Sequence, residues 1–350
     1  MTVNRLSTEK GSASHLFGRR WKVSILFPDT EATVPPNSDE ENYTALVLSD
    51  SDREDKSLRV TFNIQRFGWV VPNFSEICIY NIGPALEGWV IKSGMRVMVE
   101  AGYVGSTRSF GVIYNAPIFQ PLWEREDNVT FKLTLRCVDA MDIIYKNHVK
   151  TVGSVLSNQK TAIQQMASEA RVSFQVKSMS DNLENNVLAR PKVFFGKPIW
   201  YLRKYAQQSG STVSAIDENV YLERAQDPIP IDATSVPLEL SPGEGGLIGT
   251  PQQTQNGITF TSLLNPQIDV FRPKPMLIKL KNKYIRQAAL TPPAEQFSIL
   301  DPQGIYKILG VTHVGDTRGQ DWYSHVVAID QSMAGALGEM FNTQNDVATG

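Results

Sequence analysis

The stretch LRVTFNIQ, from Leu58 to Gln65, alternates apolar and polar residues without interruption. Because successive side chains of a strand point to opposite faces, this pattern predicts a β-strand with one buried face. Similar runs, separated by turn residues, occur at 21–28, 76–82, 95–103, 109–114 and 129–137. Several strands at short spacing, with no helical period between them, predict an antiparallel sandwich or barrel over about residues 21–147.

The period of the pattern changes after residue 150. Ile163, Met166 and Ala170 recur at helical spacing, and a strand-like run follows at 171–177. A second helical stripe contains Ile199, Leu202, Tyr205 and Ala206, and strand-like runs follow it at 211–216 and 220–223. Two helix-strand units therefore predict a small α/β domain.

Strands resume beyond a segment rich in proline. The candidate runs are 257–264, 276–281, 305–314 and 322–329, and the last two are predicted to form a hairpin across GDTRGQD at 315–321. The glycine-rich stretch 243–249 is interpreted as a flexible loop. It lacks the strand before it and the helix after it that a dinucleotide site requires, since Pro242 and Pro251 flank it.

The predicted fold class is β-rich α+β, with two antiparallel β-barrel or sandwich domains separated by a small α/β insertion. The predicted boundaries are a polar N-terminal arm (1–20), a first β domain (21–150), the α/β insertion (151–235), a second β domain (236–332) and a C-terminal tail (333–350).

Composition excludes several classes of function. Lys plus Arg (34) nearly cancel Asp plus Glu (36), so net charge gives no reason to expect binding to nucleic acid or to a membrane surface. Cys78 and Cys137 lie in apolar alternating runs, which predicts buried, reduced thiols. With a polar N-terminus and no long apolar run, we expect a soluble chain without a signal peptide or membrane insertion, folded in the cytoplasm.

Charge is unevenly distributed along the chain. Nine acidic residues against Arg53 alone lie between Asp29 and Asp55, whereas 272–286 contains six basic residues and no acid. The acidic stretch, up to about Asp55, is interpreted as a long exposed loop with one short apolar interruption at 45–48. We predict that these two regions contribute subunit or partner contacts, although two separately solvated surfaces would show the same pattern. The candidate residues are Asp39, Glu40, Glu41, Asp52, Glu54 and Asp55 on the acidic side and Lys274, Lys279, Lys281, Lys283 and Arg286 on the basic side.

No motif for chemistry is found in the sequence. The four histidines lack metal-ligand spacing, and only His313 and His325 are expected to approach each other, as a surface pair across the last hairpin. There is no G-x-S-x-G elbow, and neither cysteine has a recognisable catalytic context. We therefore predict no catalytic residue, no metal and no cofactor.

Three segments resemble tail hub proteins of contractile-tailed bacteriophages and their prophage relatives, a family related to the hub part of type VI secretion spike proteins. They are GTPQQTQNGITFTSLL (Gly249 to Leu264), GIYKILGVTHVGDTRGQDWYSHVVAID (Gly304 to Asp330) and KPIWYLRKYAQQSGSTVSAIDENVYLE (Lys197 to Glu223). The resemblance covers roughly residues 151–330.

The resemblance implies a structural baseplate hub rather than an enzyme. Such hubs carry two tail-tube-like β domains in one chain, so that a homotrimer forms a ring with pseudo-six-fold symmetry. The implied partners are further copies of the chain, the tail tube or tube-initiator protein, the central spike and other baseplate proteins, with DNA only in transit through the lumen. The implied location is the virion tail, assembled in the bacterial cytoplasm.

Two alternatives remain at this point. A tail-associated peptidoglycan hydrolase would need carboxylates held across a cleft, which spacing alone does not reveal. A host-glycan-binding module would use exposed aromatic side chains, for which Trp69, Trp89, Trp123 and Trp322 are candidates.

Overall fold

The structure is a computed structural model in which seventeen segments are described. They are residues 17–27, 45–50, 58–68, 72–82, 91–104, 110–139, 149–153, 158–169, 176–178, 190–209, 211–217, 219–223, 236–254, 257–270, 277–282, 284–287 and 303–330. All structural statements below concern these residues, so most of the predicted N-terminal arm and the whole predicted C-terminal tail lie outside them.

The first half of the chain is built from strands. They are β1 (Phe17–Leu26), β2 (Ala45–Ser49), β3 (Val60–Phe67), β4 (Phe74–Tyr80), β5 (Arg96–Val104), β6 (Phe110–Arg125) and β7 (Phe131–Val138). Every predicted strand of this half is found, and the strand read from LRVTFNIQ is β3. Alternating burial along β3 places Val60, Phe62 and Ile64 in the core, as the sequence predicted.

The middle of the chain contains both helices. Its elements are β8 (Val149–Gly153), α1 (Gln159–Glu169), β9 (Val176–Ser178), β10 (Lys192–Gly196), α2 (Pro198–Ser209), β11 (Thr212–Ile216) and β12 (Asn219–Glu223). Both predicted helices are confirmed. Of the strand predicted at 171–177, only the end that forms β9 lies within the described residues.

The last part returns to strands. It comprises β13 (Leu238–Leu240), a 3₁₀ turn (Gly243–Gly245), β14 (Leu247–Thr254), β15 (Gly257–Leu263), β16 (Leu277–Leu280), β17 (Arg286–Gln287), β18 (Ile305–Asp316) and β19 (Trp322–Asp330). The predicted final hairpin is confirmed as β18 and β19, which pair antiparallel from Tyr306–Asp330 to Gly315–Trp322.

Two loop predictions are wrong. The glycine-rich stretch at 243–249 is a 3₁₀ turn that leads into β14, which pairs with β15 on both sides of a bulge. Glycine and proline obscure the alternation there, but Leu247 is buried and the bulge accommodates the interruption. The apolar residues at 45–48, predicted as a brief interruption of an exposed loop, form strand β2 against β1.

Twelve strands form one continuous path, in the order β17-β14-β15-β19-β18-β3-β4-β7-β6-β5-β1-β2, and β13 and β16 join it through β18 to make fourteen. Among the described strands the sheet is not closed. Two small sheets, β10-β8 and β11-β12-β9, accompany the helices. The predicted β-rich α+β class is therefore confirmed, and the predicted domain boundaries stay predictions.

Two long strands change partners along their length. β6 pairs with β5 up to Pro117 and with β7 from Ile118 onward. β18 pairs with β16 through Ile305 to Lys307 and, after a bulge, with β3 from Gly310. Because β3 and β18 belong to the first and last thirds of the chain, their pairing joins the two groups of strands into a single sheet.

The core forms three main clusters. One lies under the first-half strands and includes Trp322 and Leu264 from the end of the chain. A second lies between the helices, β10, β11 and β12. A third lies under the C-terminal strands and receives Ile216 and Tyr221 from the middle of the chain. The C-terminal strands thus contribute side chains to the first cluster, and the middle of the chain contributes side chains to the third.

Candidate functional site

The predicted charged interface is only partly within the described residues. Lys279 lies on β16 and Lys281 directly follows that strand; their Nζ atoms are 4.0 and 2.6 Å from the Glu239 carboxylate on β13. These exposed contacts lower the pKa of Glu239, the Lys281 hydrogen bond contributing most. Arg286 opens β17. The other eight candidates (Asp39, Glu40, Glu41, Asp52, Glu54, Asp55, Lys274 and Lys283) lie outside the described residues.

The tip of the last hairpin is held by the first half of the chain. The guanidinium of Arg59 donates to both Asp316 carboxylate oxygens, at 2.7 and 3.2 Å. Arg19 on β1 donates to the carbonyl oxygens of Asp316 and Gln320 at 2.8 and 2.9 Å, and also to that of Gly319. We refer to Arg19, Arg59 and Asp316 as the clasp.

Electrostatics and packing both stabilise the clasp. Partial burial opposes ionisation of Asp316, but hydrogen bonds from Arg59 and from backbone N–H groups outweigh it and lower the pKa of this carboxyl. The Trp322 ring packs edge-on against the Phe62 ring, with the two ring centroids 5.4 Å apart. The Trp322 Nε1 donates to the Gly102 carbonyl at 3.2 Å. The motif that carries the family resemblance is therefore a docking element between distant parts of the chain.

A buried ion cluster connects three regions. Arg66 on β3 is 1% exposed. Its Nε and Nη2 donate to Asp269 at 2.9 and 3.1 Å, and its Nη1 and Nη2 donate to Asp217 at 3.0 and 2.9 Å. Asp217 is the turn between β11 and β12, and Asp269 follows β15. We refer to Arg66, Asp217 and Asp269 as the buried ion cluster.

Asp139, directly after β7, faces the same cluster. Its carboxylate oxygens are buried and, within the described part of the chain, have no hydrogen-bond partner. Burial raises its pKa well above the usual range, and the negative charges of Asp217 and Asp269 add to this rise while Arg66 and Arg96 oppose it. A protonated Asp139 leaves the Arg66 guanidinium facing two carboxylates rather than three.

One face of the joined sheet is half-exposed and, over three rows that cross four central strands, carries no formal charge; the next row on this face holds Asp316 of the clasp. Three rows of four residues cross β3, β18, β19 and β15 in that order. They are Asn63, Val314, Tyr323 and Leu263; Gln65, Thr312, His325 and Thr261; and Phe67, Gly310, Val327 and Thr259. We call these three rows the uncharged face. An open groove of about 480 Å³ lies over part of it.

The predicted surface pair of His313 and His325 is wrong. His325 pairs with Thr312, the residue next to His313, and successive side chains of a strand point to opposite faces, so the two histidines lie on opposite faces of the last hairpin. His313 is buried with Nδ1 2.9 Å from Ser324 Oγ, whereas His325 is exposed with Nδ1 3.0 Å from Thr261 Oγ1. In the segments that the structure describes, no group of three His, Cys, Asp or Glu side chains is placed to hold a metal.

The cysteine prediction is confirmed. Cys78 and Cys137 are free and buried, and burial raises the pKa of both thiols.

Of the aromatic candidates for glycan stacking, Trp322 is buried in the core and Trp123 is exposed, while Trp69 and Trp89 lie outside the described residues. No helix among the described residues is long and apolar enough to cross a membrane.

Sequence reasoning missed the clasp arginines and the whole buried ion cluster. Asp316 was singled out only as part of the hairpin motif. Arg66 interrupts the polar alternation of its strand by facing the core, and a charged residue at an apolar position is the one local signal that could have identified it.

No protein-family model and no curated protein sequence matches the chain. Among solved structures, a tail protein from Neisseria meningitidis is 9% identical, with a TM-score of 0.50 over 92% of this chain and 98% of that one. A 43 kDa tail protein of prophage MuSo2 from Shewanella oneidensis is 8% identical, with a TM-score of 0.49 over 79% and 98%. An Escherichia coli component of the type VI secretion system, c3393, is 12% identical, with a TM-score of 0.46 over 77% and 73%.

The Neisseria comparison spans nearly the full length of both chains. At this identity it establishes the fold alone. The chain thus has the fold of a tail protein, the fold that the resemblance predicted.

Proposed function

We propose that this chain is the structural hub of a phage tail baseplate, acting as a homotrimer that joins the tail tube to the central spike. The observation that carries the proposal is the pairing of β3 with β18, which merges the two groups of strands into one sheet with a shared uncharged face. The full-length similarity in fold to a tail protein supports the same conclusion.

A trimer of such chains presents six groups of strands around a central axis. Each copy supplies one group from its first half and one from its last third, and the β3–β18 ladder fixes the angle between them. Pseudo-six-fold symmetry would let one trimer meet a six-fold tube on one side and a three-fold spike on the other. At the two ends of the strand path, β2 and β17 present edges that neighbouring copies can pair.

The uncharged face suits the wall of a DNA channel. Lys and Arg side chains bind phosphates strongly and release counterions, so a basic wall would retain DNA, and an acidic wall would repel it. Rows of Asn, Gln, Thr and Val do neither. In this arrangement DNA is a passing occupant of the lumen and not a bound ligand.

The charged candidates fit the outer contacts of the same assembly. Lys279 and Lys281 remain exposed although both approach Glu239, so they can exchange that contact for one with a tube, spike or other baseplate protein. Their role, and that of the acidic residues at 39–55, belongs to this proposal. The role is structural and non-enzymatic, and its place is the tail of the virion, after assembly in the host cytoplasm.

Cryo-electron microscopy of purified protein, alone and with its spike, tests the proposal. We expect a three-fold ring with six similar groups of strands and the uncharged face toward the axis. A protein that stays monomeric with and without the spike, or a ring with this face outward, would overturn it.

A charge test addresses the channel separately. Thr261→Lys and Thr312→Lys place cations on the uncharged face, and we expect tails that assemble normally but eject DNA more slowly. Lys92→Glu, an exposed change outside that face, is the matched control. Unchanged ejection in the threonine variants would contradict a channel lined by this face.

A further inference from the structure

The α/β part of the molecule has an exposed apolar surface. Val193 and Phe195 on β10 are 63% and 69% exposed, and Trp200 in the first turn of α2 is 61% exposed. The Trp200 ring lies 3.5 Å from where a Cβ on Gly196 would stand, so it flanks the strand that carries Phe195. We call Val193, Phe195 and Trp200 the platform. Three neighbouring side chains this exposed mark an interaction surface rather than scattered surface residues.

The surroundings of the platform are basic. Arg203 and Lys204 follow Trp200 at helical spacing and share its face of α2, Lys197 immediately precedes the helix, and Arg190 precedes β10. From residue 190 to residue 216 the sequence contains no Asp or Glu. A partner that fits this surface is therefore both apolar and acidic.

The backbone of β10 limits how a partner can bind. The Tyr201 hydroxyl accepts from the Phe195 N–H at 2.8 Å and donates to the Phe195 carbonyl at 2.9 Å. These contacts occupy the backbone groups that an added strand would need. The partner must therefore bind through side-chain packing on the platform.

The tip of the β6–β7 hairpin has the complementary character. Its residues 123–131 carry three exposed apolar side chains and three carboxylates, namely Trp123, Val129, Phe131, Glu124, Glu126 and Asp127. The Glu124 carboxylate forms an ion pair with Lys132, whose Nζ lies 3.7 Å from Glu124 Oε2, while Glu126 is exposed. We call residues 123–131 the hairpin tip.

The hairpin tip is held in one conformation by its own contacts. Asp127 Oδ1 accepts from the N–H groups of Val129 and Thr130 at 2.8 and 2.6 Å, and these bonds lower the pKa of Asp127. Arg125 donates to the Asp127 carbonyl and lies 5.4 Å from the Phe131 ring centroid. Arg125, the one cation of residues 123–131, thus contacts other residues of the hairpin tip. The hairpin tip therefore loses little conformational freedom when it binds a partner.

We propose that the hairpin tip of one copy binds the platform of a neighbouring copy. The apolar side chains of the tip cover Val193, Phe195 and Trp200, and its carboxylates face Lys197 and the basic face of α2. Because the two surfaces differ, the contact is heterologous, and repetition around an axis closes a ring. The inference rests on the proposed homotrimer and assigns it a subunit contact. A polyanion would satisfy the cations but would leave the apolar hairpin tip without a partner.

Charge reversal tests the contact. Lys197→Glu with Lys204→Glu makes the platform acidic, and Glu126→Lys makes the hairpin tip less acidic. We expect each change to raise the dissociation constant of the oligomer by about tenfold or more, because like charges then face each other. The combined variant carries opposite charges again and regains the affinity. Sedimentation velocity over a concentration series measures the dissociation constant of the oligomer, and circular dichroism checks that each variant is folded.

An apolar pair provides the matched control. Trp200→Ser removes the centre of the platform, while Tyr284→Ser removes a ring that is 74% exposed elsewhere. Only the first is expected to dissociate the oligomer.

The outcomes separate this contact from the hub proposal. A wild-type trimer that is insensitive to the charge reversals and to Trp200→Ser would overturn the contact and leave the hub intact. A wild-type monomer at all concentrations, with and without the spike, would overturn both. Binding of single-stranded DNA or of anionic phospholipid vesicles that Trp200→Ser abolishes, with the oligomer unchanged, would assign the platform to a polyanion or a membrane instead.

Discussion

The two ends of strand β3 carry the same kind of ion pair in opposite surroundings. Arg66 is 1% exposed and makes four hydrogen bonds to Asp217 and Asp269. Arg59, just before the strand, has a side chain 47% exposed and makes two hydrogen bonds to Asp316. Both arginines connect the first half of the chain to residues far along the sequence.

The difference teaches where specificity resides in this fold. A buried charge has lost its hydration and depends on its partners, whereas an exposed charge can exchange a partner for water. The buried ion cluster thus joins three regions and is stable only when all of its charged partners are present. The clasp is a weaker contact that orients the tip of the last hairpin.

The largest effect is expected from Arg66→Ala. It leaves the Asp217 and Asp269 carboxylates without their cation, and loss of one partner of a buried pair costs about 3–5 kcal/mol. Urea unfolding measures the change in the free energy of unfolding. A loss no greater than that of Arg59→Ala would show that the two ends of β3 are energetically alike.

The next largest is expected from Gly315→Ala, which tests whether packing rather than charge docks the last hairpin. A Cβ there would stand 2.2 Å from Phe62 Cζ, under the ring that packs against Trp322. We expect a loss of about 1–3 kcal/mol in unfolding free energy, typical of an overpacked core. Gly111→Ala is the control, since its Cβ meets Pro266 at 3.5 Å, an ordinary contact.

Asp139→Asn tests the acid beside the buried ion cluster through pH. The pKa of Asp139 is raised in the folded state, so the folded protein holds this proton more tightly than the unfolded chain, whose value is about 3.9. Stability from this group is therefore fully present below that value and is lost as pH rises toward the folded pKa.

Thermal unfolding across a pH series measures this dependence. The stability of the Asp139→Asn variant should not fall in this way as pH rises, so the variant should be more stable than the wild type at neutral pH. Asp127→Asn is the control of opposite sign, because hydrogen bonds lower the pKa of Asp127. If the wild type and Asp139→Asn respond identically to pH, Asp139 is ionised in the fold.

The smallest effect is expected from Arg59→Ala. The Arg59 side chain is 47% exposed in its contact with Asp316, so we expect a loss of about 1 kcal/mol or less. A double-mutant cycle with Asp316→Ala in chemical denaturation isolates the pair. A coupling energy as large as that of the buried ion cluster would mean that exposure does not govern these contacts.

Much of the fold was predictable because periodicity is local. The alternation in LRVTFNIQ reports which side chains of β3 face the core, and the stripe from Ile199 to Ala206 reports the buried face of α2. β14 was missed because Gly249 and Pro251 break that local pattern, and only its pairing with β15 makes it a strand.

The functional surfaces were far less predictable. Arg66 meets partners 151 and 203 residues away, and Arg59 meets Asp316 across 257 residues. No spacing rule connects positions so distant, and an Arg or Asp looks the same in sequence whether solvated or buried.

The sequence by itself determined both helices and most of the long strands, which side chains of each are apolar, and that the last hairpin matches a tail hub motif. Only the tertiary structure decided that β18 leaves β16 to pair with β3, that three uncharged rows cross four strands on one half-exposed face, and that Asp316 and Arg66 connect distant regions. The reason is physical. Side-chain periodicity is fixed by a few neighbouring dihedral angles, while strand partners and ion pairs are chosen by contacts between segments that meet only in the folded chain.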